Sequence, residues 1–125
     1  MSRIKETSTN FENKNFILSE CNETFAISVI RGQWTLLLCC QISLGKKRFS
    51  ELRTAIPNIT DRMLAHELKR MELNKLITRT VYKEVPLRVE YELTSIAKEL
   101  IPILEELGAW GKRHRGEIAH NQMSK

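Results

Sequence analysis

Three side chains that can donate hydrogen bonds lie at helical spacing within residues 60–73. Arg62 and His66 are one helical turn apart, and Lys69 lies one turn further along. An arginine fork can bridge two acceptors on a guanine edge, whereas lysine suits phosphate oxygens and histidine can donate to a base or a phosphate. These residue types at this spacing predict a face that binds a polyanion, provided that they share one exposed side.

The apolar residues of the same segment decide which side is exposed. Leu64, Leu68 and Met71 repeat at i, i+4 and i+7, which predicts a buried helical stripe, and Thr60 is well placed as the N-cap. The opposite side and the N-terminal end therefore hold the candidate nucleic-acid contacts, namely Thr60, Asp61, Arg62, Ala65, His66, Lys69 and Arg70. Arg62 is the candidate base contact, and Lys69 with Arg70 are candidate phosphate contacts. The alternative is an ordinary solvated helix face, and the carboxylate of Asp61 argues against phosphate nearby.

The segments around this helix predict a winged helix-turn-helix. A short helix is expected over 49–55, the turn at Pro57-Asn58 separates it from the second helix, and strands are expected over 77–83 and 89–93. In this architecture the second helix enters the major groove and the hairpin, or wing (77–93), contacts the backbone or minor groove. Further candidate phosphate contacts are Arg79, Lys83 and Arg88 in the wing and Lys46, Lys47 and Arg48 before the first helix. The alternative is a structural hairpin with ordinary surface cations.

The charge distribution agrees with this interpretation. The chain has a net charge of +5, and residues 44–93 hold eleven basic against seven acidic side chains. Residues 1–43 carry four of each sign, so the excess lies mainly on the segment predicted to bind DNA. A solvated surface could give the same count by chance.

The remaining segments predict an arrangement that pairs two copies of the chain. We expect a loose polar arm over 1–15, one mainly α domain with a small β-hairpin over 16–112 (an α+β fold), and a basic, flexible tail over 113–125. Helices are expected over 23–30, over 34–44 as the buried central helix, and over 94–112 as a dimerisation helix. The candidate interface residues are Phe25, Ile96, Leu100, Ile103, Leu104, Leu107 and Trp110. The alternative is burial of the last helix under residues 11–30.

Other classes of function find no support in the sequence. Cysteines 21, 39 and 40 have no CxxC spacing, and no glycine-rich phosphate loop or HExxH motif occurs. We therefore expect a non-enzymatic protein without cofactor or metal. Since the start has no apolar core, we also expect a cytoplasmic location without membrane association. Cys39 and Cys40 are expected to be packing residues of the central helix.

The chain resembles the HxlR-type family of bacterial winged-helix transcriptional regulators, from about Cys21 to Trp110. The resemblance is carried by Cys21, Gly32-Gln33-Trp34-Thr35, Arg48-Phe49-Ser50-Glu51-Leu52, Ile56-Pro57-Asn58-Ile59-Thr60, Met63-Leu64, Val85-Pro86, Arg88-Val89-Glu90-Tyr91, Leu93-Thr94, Pro102 and Trp110. Gln33, Leu87 and Ala97 depart from the usual Lys, Pro and Gly of the family, and none of them lies on the helix over 60–73.

The resemblance implies a homodimer that binds a near-palindromic operator and acts as a repressor or activator. It also makes Cys21 a candidate redox or electrophile sensor, because a cysteine at the matching place sometimes has that role in the family. A position before a helix favours a reactive thiolate, whereas the neighbouring Glu20 and Glu23 disfavour it, so a passive cysteine is the alternative. The rival to DNA binding is a winged-helix module that binds another protein.

Overall fold

A computed structural model describes residues 19–123, and side chains are described for 19–119. The predicted arm over 1–15 lies outside the described residues. The elements are, in chain order, α1 (Asn22–Ile30), α2 (Thr35–Ser43), β1 (Lys47–Arg48), α3 (Phe49–Ala55), α4 (Asp61–Leu73), β2 (Ile77–Tyr82), β3 (Arg88–Leu93) and α5 (Ser95–Met123). The architecture is mainly α with one small antiparallel sheet, in the winged helix-turn-helix order that the sequence predicts.

Local hydrogen bonds explain where helix α4 begins and where it ends. The hydroxyl of Thr60 accepts a hydrogen bond from the Met63 N–H at 3.1 Å, which confirms the predicted N-cap. At the other end, Lys75 adopts a positive φ of 60°, and the Leu76 N–H donates to the Met71 carbonyl at 2.9 Å. This 6→1 bond closes the helix and turns the chain directly into β2.

The sheet contains one strand that the sequence analysis missed. The strand order of the sheet is β1-β3-β2. Lys47 of β1 lies opposite Tyr91 of β3, and Ile77 of β2 lies opposite Leu93 of β3. A strand of two residues is too short to show alternation, so its pairing is visible only in three dimensions. The consequence is that the segment before α3 is tied to the base of the wing.

The core contains the stripe that the sequence predicts. Leu64, Leu68 and Met71 are at most 2% exposed, and they lie with Leu38, Leu52 and Ile77 among the largest fully buried side chains. Helix α2 is buried on one side only, because Leu36 and Leu37 are exposed while Leu38, Cys39 and Ile42 are buried.

The C-terminal helix is longer than expected. Thr94 caps it through an Ala97 N–H at 3.2 Å, as predicted, but the helix does not end at 112. It continues through Pro102 to Met123, so residues 113–123 are helical and form no separate tail. The polar composition of this end was misleading, because Lys, Arg, Glu and Ala are also good helix formers.

The chain divides into two compact units with the boundary between Leu36 and Leu37, whereas the sequence predicted one domain from residue 16. The wing, the helix pair and α5 all belong to the second unit. Among the described residues no single helix has the length and apolarity needed to cross a membrane. Only α1 and α2 taken together, as a bent pair, have that length and apolarity.

Candidate nucleic-acid interface

The outer face of α4 presents the residues that the sequence predicts. With the leucines buried, Arg62, Ala65, His66 and Lys69 are exposed. Within the described residues, neither Arg62 nor Lys69 has a carboxylate within 4.0 Å. Their donors are therefore available to a ligand, and Ala65 between them keeps the face low enough for close approach.

Two acidic residues of α4 are held by arginines. Asp61, at the N-terminal end, forms an ion pair with Arg53 of α3, which ties the two helices together and offsets the carboxylate charge. Glu67 is only 7% exposed, and one of its oxygens lies 2.7 Å from Nη2 of Arg70. Arg70 was expected to contact phosphate, but much of its charge is directed at Glu67. Glu67 was missed because its i, i+3 spacing to Arg70 also fits an exposed pair.

A shallow depression lies between α4 and the sheet of the wing. Ala65 and Lys69 of α4, together with Arg79 and Tyr91 of the sheet, line a depression of about 270 Å³, which Leu68 and Glu72 also line. Arg79 and Lys83 are exposed, and neither makes an ion pair in the part of the chain described. One cation of the helix, Lys69, and one of the hairpin, Arg79, therefore line the same depression.

Arg88 occupies a different position from the other wing cations. Its Nη2 lies 3.0 Å from Glu84 and its Nη1 lies 3.4 Å from Glu90, while Cζ lies 4.0 Å from the ring centre of Tyr82. Its side chain is 27% exposed. An arginine with two carboxylates and an aromatic ring around it cross-links the hairpin, so its charge is largely used internally. The sequence placed these residues close together but gave no indication that they pair.

The basic triplet before α3 is arranged by the short strand β1. Nζ of Lys46 lies 4.0 Å from Glu92, and both side chains are about half exposed. Lys47 is half-buried beside β3, and Arg48 is exposed and donates its backbone N–H to Glu51 at 2.8 Å. Lys47 and Arg48 therefore remain candidates for a backbone contact, whereas Lys46 faces a carboxylate.

The candidate interface residues are largely exposed within the single chain. Phe25 of α1 is 54% exposed, and on α5 the exposed members are Ile96, Ile103, Leu107 and Trp110. Leu100 and Leu104 are half-buried. Isolated exposed apolar residues are ordinary, but a row of them along one helix marks an interaction surface.

Cys21 lies immediately before α1 as its N-cap residue. The hydroxyl of Thr24 donates to the Cys21 sulfur at 3.0 Å, and this hydrogen bond is the main cause that lowers the pKa of the Cys21 thiol. The nearby charge of Glu23 acts in the opposite direction but has a smaller effect. The sequence-based expectation weighed the helix N-terminus against the acidic neighbours Glu20 and Glu23. It missed Thr24, although a hydroxyl three residues after an N-cap cysteine is visible in the sequence.

The other two cysteines differ from each other. Cys39 is fully buried, and burial raises its pKa to about 11, so its thiol stays protonated at neutral pH. Cys40 is exposed, which corrects the expectation that both are packing residues. The expectation was wrong because only one side of α2 is covered.

Comparison with known proteins agrees with this geometry. Residues 29–119 match the family described as HxlR-like helix-turn-helix. An uncharacterized HTH-type transcriptional regulator from Methanothermobacter thermautotrophicus is 48% identical over 94 residues, which are 75% of this chain and 72% of that protein.

Two solved structures are also similar. The redox regulator HypR in its reduced form has a TM-score of 0.74 and 37% identity, covering 79% of this chain and 98% of HypR. The reduced form of the transcriptional regulator YodB from Bacillus subtilis has a TM-score of 0.69 and 33% identity, covering 74% of this chain and 91% of YodB. These relatives are regulators and not enzymes. With the exposed basic face of α4, the capped helix pair and the hairpin in place, the chain belongs to the HxlR-like helix-turn-helix family of DNA-binding transcriptional regulators.

Proposed function

We propose that the protein is a cytoplasmic, sequence-specific regulator that inserts α4 into the major groove of an operator. The observation that carries this proposal is the concave surface shared by α4 and the wing, on which Lys69 and Arg79 lie together. A helix fits the major groove, and a hairpin beside it can follow the phosphate backbone.

Within this arrangement the cations have separate roles. Arg62, near the N-terminal end of α4, reads a guanine edge, and His66 contacts a neighbouring base or phosphate. The phosphates are neutralised by Lys47, Arg48, Lys69, Arg79 and Lys83. Arg70 and Arg88, which pair with carboxylates of their own chain, support α4 and the wing.

The regulator binds as a homodimer. The exposed apolar residues of α5, with Trp110 51% exposed, exceed what the second unit covers, and a two-fold contact between copies would bury them. Two α4 helices related by a two-fold axis fit a near-palindromic operator with half-sites about 10–10.5 bp apart or a multiple of that.

The test is to sequence genomic fragments retained by the purified protein and to compare the parent with an Arg62→Ala, Lys69→Ala double variant. We expect a recurrent palindrome that the double variant no longer enriches. The matched control is Lys98→Ala, since Lys98 is an exposed cation of α5 outside the wing and α4. If the double variant retains the same fragments as tightly as the parent, α4 is not the recognition helix. Retention that also proves insensitive to salt would favour the protein-binding alternative.

We further propose that Cys21 makes operator binding responsive to electrophiles. The hydrogen bond from Thr24 lowers the pKa of the thiol, and the thiolate is the nucleophilic form. Addition to a quinone forms a carbon–sulfur bond, and the quinone takes up the electron pair with one proton from solvent to become a hydroquinone thioether. No further oxidant is needed. Two similar proteins support this proposal, since HypR is a redox regulator and YodB is a transcriptional regulator with a structure of its reduced form.

The experiment measures operator binding before and after treatment with benzoquinone for the parent and for Cys21→Ser. Loss or gain of affinity should occur in the parent and be absent in Cys21→Ser. Cys40→Ser is the matched control, because Cys40 is the exposed thiol of the described residues, whereas Cys21 is half-buried. An unchanged response in Cys21→Ser would remove the sensor role.

A further inference from the structure

The middle of α5 carries an exposed apolar face that has the spacing of a coiled-coil seam. Ile103 is 60%, Leu107 47% and Trp110 51% exposed, and the ring of His114 lies 5.3 Å from that of Trp110. The intervals of four, three and four residues correspond to d, a, d and a positions of a heptad. A seam of this kind fits another helix along its length.

The residues beside the seam carry charges of opposite sign. Glu106 precedes Leu107 and Arg113 precedes His114, so both occupy g positions on the same flank. Both are exposed, and neither makes an ion pair within the described chain. On the other flank, the space beside Gly111 is open, because a Cβ added to this residue would meet no atom within 4 Å.

We propose that α5 packs antiparallel against α5 of a second copy, crossing near Gly108 and Ala109, with Glu106 of each protomer facing Arg113 of the partner subunit. Leu107 then packs against Trp110 of the partner subunit, and Gly111 leaves room for Leu104 of the partner subunit. This pairing rests on the proposed homodimer and specifies its register.

The charges distinguish this arrangement from a parallel one. In an antiparallel pair, g positions face g positions, so a two-fold axis places Glu106 opposite Arg113 twice. In a parallel pair, g positions face e positions of the next heptad, so Glu106 would face Gly111 and Arg113 would face Ile118. Only the antiparallel register brings opposite charges together.

The experiment exchanges these charges. Glu106→Arg alone and Arg113→Glu alone each place like charges at both symmetric contacts, and each should weaken self-association on the order of tenfold at low salt. Mixing the two variants restores both opposite-charge contacts, so differently tagged chains should form mixed dimers in preference to either self-pair. Sedimentation equilibrium and co-purification of the tags measure this. Glu105→Arg is the matched control, since Glu105 lies on the opposite side of α5 and should leave assembly unchanged.

Preferential mixed dimers, with an unaffected Glu105→Arg variant, would support the pairing. A dimeric parent whose assembly is insensitive to Glu106→Arg would overturn the register and leave the homodimer standing. A monomeric parent would overturn the homodimer and the pairing with it. Equal weakening by Glu105→Arg and Glu106→Arg would also overturn the register, because net charge alone would then explain the effect.

Discussion

Lys83 and Arg88 lie on the same hairpin, yet we predict that only Lys83 contributes to the salt dependence of DNA binding. Lys83 is exposed with no ion pair among the described residues, whereas Arg88 lies between Glu84 and Glu90 at 3.0 and 3.4 Å. A cation that neutralises one phosphate contributes about 0.9 to the slope of log affinity against log salt. A cation already paired within its own chain contributes little.

The expected change in slope follows from the two wings of a dimer. Lys83→Gln removes one phosphate contact per protomer, so the slope for a dimer should become shallower by about 1.8. Between 50 and 200 mM salt, which is about 0.6 of a decade, the variant should therefore lose about tenfold less affinity than the parent. Fluorescence anisotropy on a mixed-sequence duplex measures both slopes without knowledge of the operator.

The contrasting variant is Arg88→Gln combined with Glu84→Gln, which removes Arg88 and one of its two carboxylate partners without changing the net charge. Its slope should equal that of the parent, although its affinity falls because the hairpin is less well held. A slope change of about 1.8 in this double variant, with none in Lys83→Gln, would refute the division of roles within the wing.

The other predictions concern stability and cysteine chemistry. Thr60→Ala leaves the Met63 N–H without its 3.1 Å partner and should lower the free energy of unfolding by about 1 kcal/mol, measured by urea denaturation. Leu68→Ala, at a side chain 2% exposed, should cost about 2–5 kcal/mol in the same assay, whereas Met63→Ala, 36% exposed, should cost clearly less; equal losses would contradict the orientation of α4. Thr24→Val removes the hydroxyl that lowers the pKa of Cys21, so at neutral pH the thiolate fraction and the rate of iodoacetamide labelling should fall, measured by mass spectrometry of the Cys21 peptide. An unchanged rate would show that the hydrogen bond does not control reactivity.

The helix-turn-helix and the wing could be predicted because their determinants are local. The stripe of Leu64, Leu68 and Met71 needs only helical spacing, and Thr60 and Thr94 are capping residues that act within three residues of themselves. Patterns of this kind are written in consecutive residues, so no knowledge of distant contacts is required.

The features that could not be predicted from the sequence involve interaction partners that no local pattern shows. Glu67 looks like a surface residue until its burial beside Arg70 is known, and Arg88 looks like a free cation until Tyr82 and Glu90 are placed around it. The extent of α5 was underestimated for another reason, since a polar composition is shared by flexible tails and by exposed helices. The side chains named for base contact can be placed by geometry, and their roles remain predictions.

Insertion of α4 into the major groove is tested most directly by methylation interference at guanine N7 on the retained operator. For the parent we predict interference at one guanine in each half-site. For Arg62→Ala we predict the loss of that interference, together with about 1–3 kcal/mol less discrimination at the same base pair. An Arg62→Ala variant with the same interfering guanines and the same discrimination as the parent would show that this helix does not read the operator through Arg62.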